Sequence, residues 1–231
     1  MIFRVGIENN NDGRSIAWAL EHPGCFAYGA NATAACLNLE TVIQKYATWI
    51  LKNEPITWLN FEEVEIHPEE TWEVYSINED LEKVESGGYY VESFFQYDWK
   101  PLKSEEIGQA LKMLSWTREE LLKIISGLSA EKLVATYPIE RWSINGILGH
   151  IGGAEWWYLD RLGLAFPESE LSKEPMAQLK QSRDLLNRTL PKLRGISRVV
   201  GRDGEIWSPR KILRRALWHE LDHIEHIKKL I

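Results

Sequence analysis

Cysteine is nearly absent from this chain: Cys25 and Cys36 are the only two in 231 residues. Two thiols cannot build a disulfide framework, and neither lies in a C-x-x-C pair. Sulfur-ligated metal is therefore disfavoured, and a reduced, cytoplasmic setting is expected. No apolar run is long enough to span a bilayer. The opening residues, MIFRVGIENNNDGRS, lack a basic start, an apolar stretch and a small-residue cleavage site, so neither a signal peptide nor membrane association is expected. There is no internal repeat, no Gly-rich phosphate loop and no Ser-His-Asp spacing, which argues against nucleotide hydrolysis and serine chemistry. Basic charge is also short. The net charge is −7, and residues 1–100 hold six Lys and Arg against 17 Asp and Glu, a net of −11. Such a surface repels phosphates, so no nucleic-acid partner is expected. Residues 101–231 are net +4, with no basic stripe. The break in composition near residue 100 predicts two domains, 1–99 and 100–231.

The first domain reads as α+β. FRVGIE and SIAWAL have strand-like content and are joined by NNNDGR, a hairpin signal. HPGCFAYG adds a Pro-Gly turn and a short aromatic strand. Ala32 to Leu51 then repeats Ala35, Leu39, Val42, Ile43, Tyr46 and Ile50 at helical spacing, with Asn31 or Thr33 as cap. The order is β-β-β-α. Pro23, Gly24, Cys25, Phe26 and Gly29 match the Pro-Gly-Cys-Phe-x-x-Gly turn of the HicB-like family, which residues 3–52 resemble. That resemblance implies a partner-binding or antitoxin module, and an accessory role that caps or dimerises the second domain is favoured. Cys25 in this turn is expected to be a small buried hydrophobe. Further on, FEEVEIH and YYVESFF alternate as strands, and SGG at 86–88 marks a turn. His67, before Pro68, reads as a loop or strand-end residue.

The second domain reads as four helices. Ser104 to about Ser126 carries an apolar face and is stopped by Gly127. Ser143 caps a helix running to about Gly163. A third spans about Glu174 to Leu193, with Pro191 breaking its end. The last opens on Ser208-Pro209, a cap with proline in the first turn. SRVVGRDGEIWS before it is a hairpin around Asp-Gly. Four helices, each with one apolar face, predict a four-helix bundle.

Histidine is scarce as well, with six in the chain, yet three fall within WHELDHIEHI. His219 and His223, four apart, share one helix face and can grip one ion. His150 sits among Ile144, Ile147, Leu148, Ile151 and Ala154 on the second helix and should face inward. Three neutral imidazoles suit a divalent transition metal such as Zn, Ni, Fe or Cu and leave coordination positions open. On spacing alone the alternative stands equally: a hydrogen-bonded core histidine and a surface pair. Glu155, Glu220 and Asp222 point away from the ligand face and are expected in salt bridges. Asp160 and Arg161 read as a solvated face. Trp142, Trp156, Trp157 and Trp218 are expected in packing, with one of them able to wall a pocket beside the metal.

RWSINGILGHIGGAEWWYLDRL and SPRKILRRALWHELDHIEHI resemble the second-helix and last-helix signatures of the DinB-like superfamily, over residues 100–231. The resemblance implies that His150, His219 and His223 are metal ligands, with His226 outside the triad. It also implies a homodimer, and an enzyme that uses a low-molecular-weight thiol for S-transfer to electrophilic small molecules. A metal-dependent hydrolase and a non-enzymatic stress-response or partner-binding protein are the alternatives.

Overall fold

The computed structural model describes residues 1–85 and 87–231. The turn expected at 86–88 begins on Ser86, outside the described residues. Two compact units are present: Met1–Trp99 with Gly201–Ile206, and Lys100–Val200 with Trp207–Ile231.

In the first unit, β1 (Ile2–Asn11) and β2 (Arg14–Ala19) form an antiparallel hairpin with Asn11 opposite Arg14. Its two-residue turn needs positive φ at both positions, and Asp12 and Gly13 adopt 49° and 74°. β3 (Phe26–Gly29) pairs with β2, and α1 (Ala32–Asn53) follows. Gly29 is required here, because a Cβ would lie 2.1 Å from the Ala35 nitrogen as the helix starts beneath the strand. Asn31 caps α1 by accepting the Ala34 N–H at 2.9 Å. Ala35, Leu39, Ile43, Tyr46 and Ile50 form its buried face. Cys25 is buried, and desolvation pushes its thiol pKa well up, so it packs as a small hydrophobe.

β4 (Glu65–Glu73) returns parallel to β1 at the sheet edge, giving the order β3-β2-β1-β4. His67 thus lies within a strand, opposite Arg4, and not in a loop or at a strand end. Pro68 does not end the strand because β4 is an edge strand, and the register slips by one residue there, between Val5 and Gly6. The strand expected over residues 61–67 begins only at Glu65, and the one expected over 89–95 is shorter. β5 (Tyr75–Ile77), β6 (Lys83–Val84) and β7 (Tyr89–Val91) form a separate small sheet, followed by a 3-10 turn at Gln96–Trp99.

The second unit is a helical bundle. α2 (Ser104–Ser126) is capped at Lys103, one residue before the serine expected. The Glu106 carboxylate accepts the Lys103 N–H at 2.7 Å and satisfies the helix start in place of a hydroxyl. A short α3 (Ala130–Val134), without a sequence counterpart above, precedes α4 (Ile144–Arg161), where Ser143 accepts the Gly146 N–H at 3.2 Å. α5 (Pro175–Thr189) ends in a 3-10 turn, Leu190–Leu193, where Pro191 interrupts the α-helical ladder. β8 (Val200–Arg202) and β9 (Glu205–Trp207) form the hairpin around Asp203 and Gly204, whose residues Gly201–Ile206 count with the first unit, and α6 (Pro209–Leu230) of the second starts on the Ser208 cap. α2, α4, α5 and α6 share one core through Leu121, Ile125, Ile147, Ile151, Leu179, Ile224 and Ile227. Among the described residues, no helix is long and apolar enough to cross a membrane.

Candidate metal centre

His150 lies in the first half of α4, and His219 and His223 lie one turn apart on α6. Their approach follows from packing: Ile147 and Ile151 on α4 meet Ile224 and Ile227 on α6 in one core. The histidine face continues that seam. Nε2 of His219 is 3.0 Å from Nε2 of His150 and 3.2 Å from Nε2 of His223, and one ligand atom from each of the three lies within 4.8 Å of the others. Two nitrogens bound about 2.05 Å from one tetrahedral ion would stand roughly 3.3 Å apart, so the separations fit a shared divalent ion.

Electrostatics favours the same use. Burial holds His219 well below its ordinary pKa, and His223, His150 and Arg215 push it the same way. His223 is lowered to about 3, chiefly by burial and then by His150 and His226. Burial and Arg141 lower His150. All three are therefore neutral at neutral pH and offer lone pairs to a cation. No carboxylate joins the convergent ligand atoms among the described residues.

His226 stands outside the triad. Its Nε2 lies 2.8 Å from Oε2 of Glu140, and its ring centroid is 5.9 Å from that of His223. Trp142 stacks on His150 with centroids 4.4 Å apart and an interplanar angle of 26°, and the Arg141 guanidinium covers Trp142 at 4.6 Å. Trp142, one of the four tryptophans expected in packing, thus lies against a clustered histidine, whereas nothing in the sequence singles out Glu140. Neither has a periodic signal, since both precede the helix they serve. Trp157 packs edge-on against Trp207 at 5.2 Å. Arg161, expected in solvent, is buried over the Trp157 ring at 4.6 Å and donates to Asp160 at 3.0 Å.

Glu155 and Glu220 do turn away from the cluster, into a buried charge clasp. Arg118 Nε donates to Glu220 at 2.6 Å, Arg183 Nη2 donates to Glu220 at 2.6 Å, and Arg183 Nε donates to Glu155 at 2.9 Å. Arg118 also reaches both Glu155 oxygens at 3.3 Å, and the Thr117 hydroxyl donates to Glu220. One residue or more comes from each of α2, α4, α5 and α6. Burial would raise the Glu220 pKa, but Arg183, Arg118 and Thr117 together hold it below its usual value.

No curated protein matches this chain. A solved structure, YfiT from Bacillus subtilis, is described as a probable metal-dependent hydrolase with an unusual four-helix bundle topology. It aligns at 20% identity over 56% of this chain and 87% of that one, with a TM-score of 0.44. Residues 113–227, a stretch that carries all three clustered histidines, match the DinB superfamily.

Proposed function

We propose that this protein is a metal-dependent enzyme in which His150, His219 and His223 hold one divalent transition ion, Zn, Ni or Fe, within a four-helix bundle of the DinB kind. The reaction we propose is transfer of a low-molecular-weight thiol to an electrophilic small molecule. Residues 3–52 would be a HicB-like accessory module. One observation carries the reading: three neutral imidazoles converge, while Glu220 and Glu155 on the same two helices are committed to arginines.

A bound divalent ion would lower the pKa of a thiol placed against it and so supply thiolate at neutral pH. Neutral ligands leave the ion's positive charge undiminished, which strengthens that effect. Glu155 and Glu220 cannot serve as general bases while Arg118 and Arg183 hold them. A nucleophile that needs no separate base fits such a site best. The thiol sulfur would form the new bond to the electrophilic carbon, its proton would pass to solvent, and the leaving group would depart with its electron pair.

Metal content by elemental mass spectrometry, in wild type and His219→Ala, tests the site. About one transition ion per chain, lost in the variant, is expected. Thiol-dependent loss of monochlorobimane by the loaded protein tests the reaction. Turnover of ester or amide substrates without thiol would replace it with hydrolysis. Absence of metal after reconstitution with Zn, Ni and Fe(II) would remove the enzyme reading altogether.

A further inference from the structure

Between α3 and α4 lies the stretch ATYPIERW, residues 135–142. It has no regular structure beyond a turn in which the Glu140 N–H donates to the Tyr137 carbonyl at 3.2 Å. Ile139, at the turn, is fully exposed and has a φ of 72°. A β-branched side chain is sterically disfavoured in this left-handed region, and such a conformation persists only where flanking contacts hold it. Tyr137 and Trp142 pack against the bundle core. Trp142 also lies flat on His150 of α4, and Glu140 reaches across to His226 of α6, one turn beyond His223. The stretch therefore ties together the two helices that carry the histidine cluster, at the cluster itself.

We propose that residues 135–142 are a strap that closes over the histidine cluster and sets how fast an ion enters and leaves it, a proposal that rests on the metal reading above. The two holds differ in strength. The Trp142–His150 stack is a broad aromatic contact. The Glu140–His226 contact is a single hydrogen bond, partly exposed on both sides, so it is a weak latch. Strain at Ile139 opposes closure and the latch favours it. A strap so balanced opens readily without unfolding the bundle.

The test is the rate at which excess chelator strips zinc from the loaded full-length chain. Glu140→Ala removes the latch and should speed loss by about fivefold. Ile139→Asn keeps a side chain while suiting positive φ, and should slow loss by roughly twofold or more. Zinc content at saturation should stay at one per chain in every variant. Equal rates in all three proteins would overturn the strap while leaving the metal site intact. Zinc content that falls in Glu140→Ala or Ile139→Asn would also overturn it, by making these residues part of the site's architecture. A wild type that takes up no ion would overturn the metal reading, and the strap with it.

Discussion

Replacing Glu220 with glutamine should destabilise the helical unit severely, although the side chain keeps its size. The clasp holds two guanidiniums, Arg118 and Arg183, against two carboxylates, Glu155 and Glu220, and its charge sums to zero. Glutamine removes one negative charge and turns one acceptor into a donor facing donors. Arginine cannot escape by losing its proton. One net positive charge is then left in the interior, where Glu220 is fully buried. Breaking a buried pair from one side costs about 3–5 kcal/mol. For a unit of this size that is on the order of 10–20 °C in Tm. Urea unfolding followed by circular dichroism at the helical band would measure it. The charge argument also fixes a second result. Removing Arg118 together with Glu220, as Arg118→Leu with Glu220→Leu, leaves Arg183 and Glu155 as a neutral pair. The double variant should recover well over half of the loss. A single-variant loss below about 1 kcal/mol would falsify the reasoning, and so would a double variant whose loss equals the sum of the two singles.

Two further outcomes are expected. His22 packs tilted against Phe3 at 5.1 Å and edge-on to Tyr46 at 6.4 Å, and burial lowers its pKa from 6.5 to about 4. The fold binds the neutral ring, so its stability is full above pH 6.5 and falls between pH 6.5 and 4, by up to about 3 kcal/mol. The first unit's urea midpoint at pH 7.5 and 4.5 should therefore drop steeply in wild type and much less in His22→Gln; parallel drops would refute this. Ser208 accepts the Lys211 N–H at 3.1 Å and starts the helix that carries two of the clustered histidines. Ser208→Ala should lower bundle stability by about 1 kcal/mol, and an unchanged urea midpoint would show that the cap is dispensable.

Legibility in the sequence followed the range of the physics. Caps, turns and same-face spacing are local. Ser143, Ser208-Pro209, Asp203-Gly204 and the histidine pair one turn apart were all readable from neighbouring residues. His150 was readable as inward from the isoleucines and leucine around it. What pairs with what across the fold was not. Arg118 and Glu220 are 102 residues apart, and Arg183 and Glu155 are 28 apart on different helices. Geometry on one helix could say that Glu155 turns from His150, but not which guanidinium meets it. The return of β4 beside β1 was hidden likewise, because Pro68 after His67 looks like a strand end unless the edge position and the bulge are known. Glu140 comes from an irregular stretch, where periodicity says nothing.

The clasp and the histidine cluster are coupled through the geometry of one helix. His219 and Glu220 are adjacent, so their side chains leave α6 about 100° apart. Glu220 can meet Arg118 and Arg183 only if α6 is rotated to face α2 and α5, and that rotation aims His219 and His223 at α4. Glu155 repeats the device on α4, where its pairing with Arg183 and Arg118 fixes the turn that aims His150 back. Apolar packing alone tolerates some rotation of a helix about its axis. Charge-assisted hydrogen bonds from rigid guanidinium forks tolerate much less. The carboxylates that do not touch the cluster thus set the direction of the imidazoles that form it. Their burial, costly in isolation, makes sense as the means of holding three nitrogens together at 3.0 and 3.2 Å.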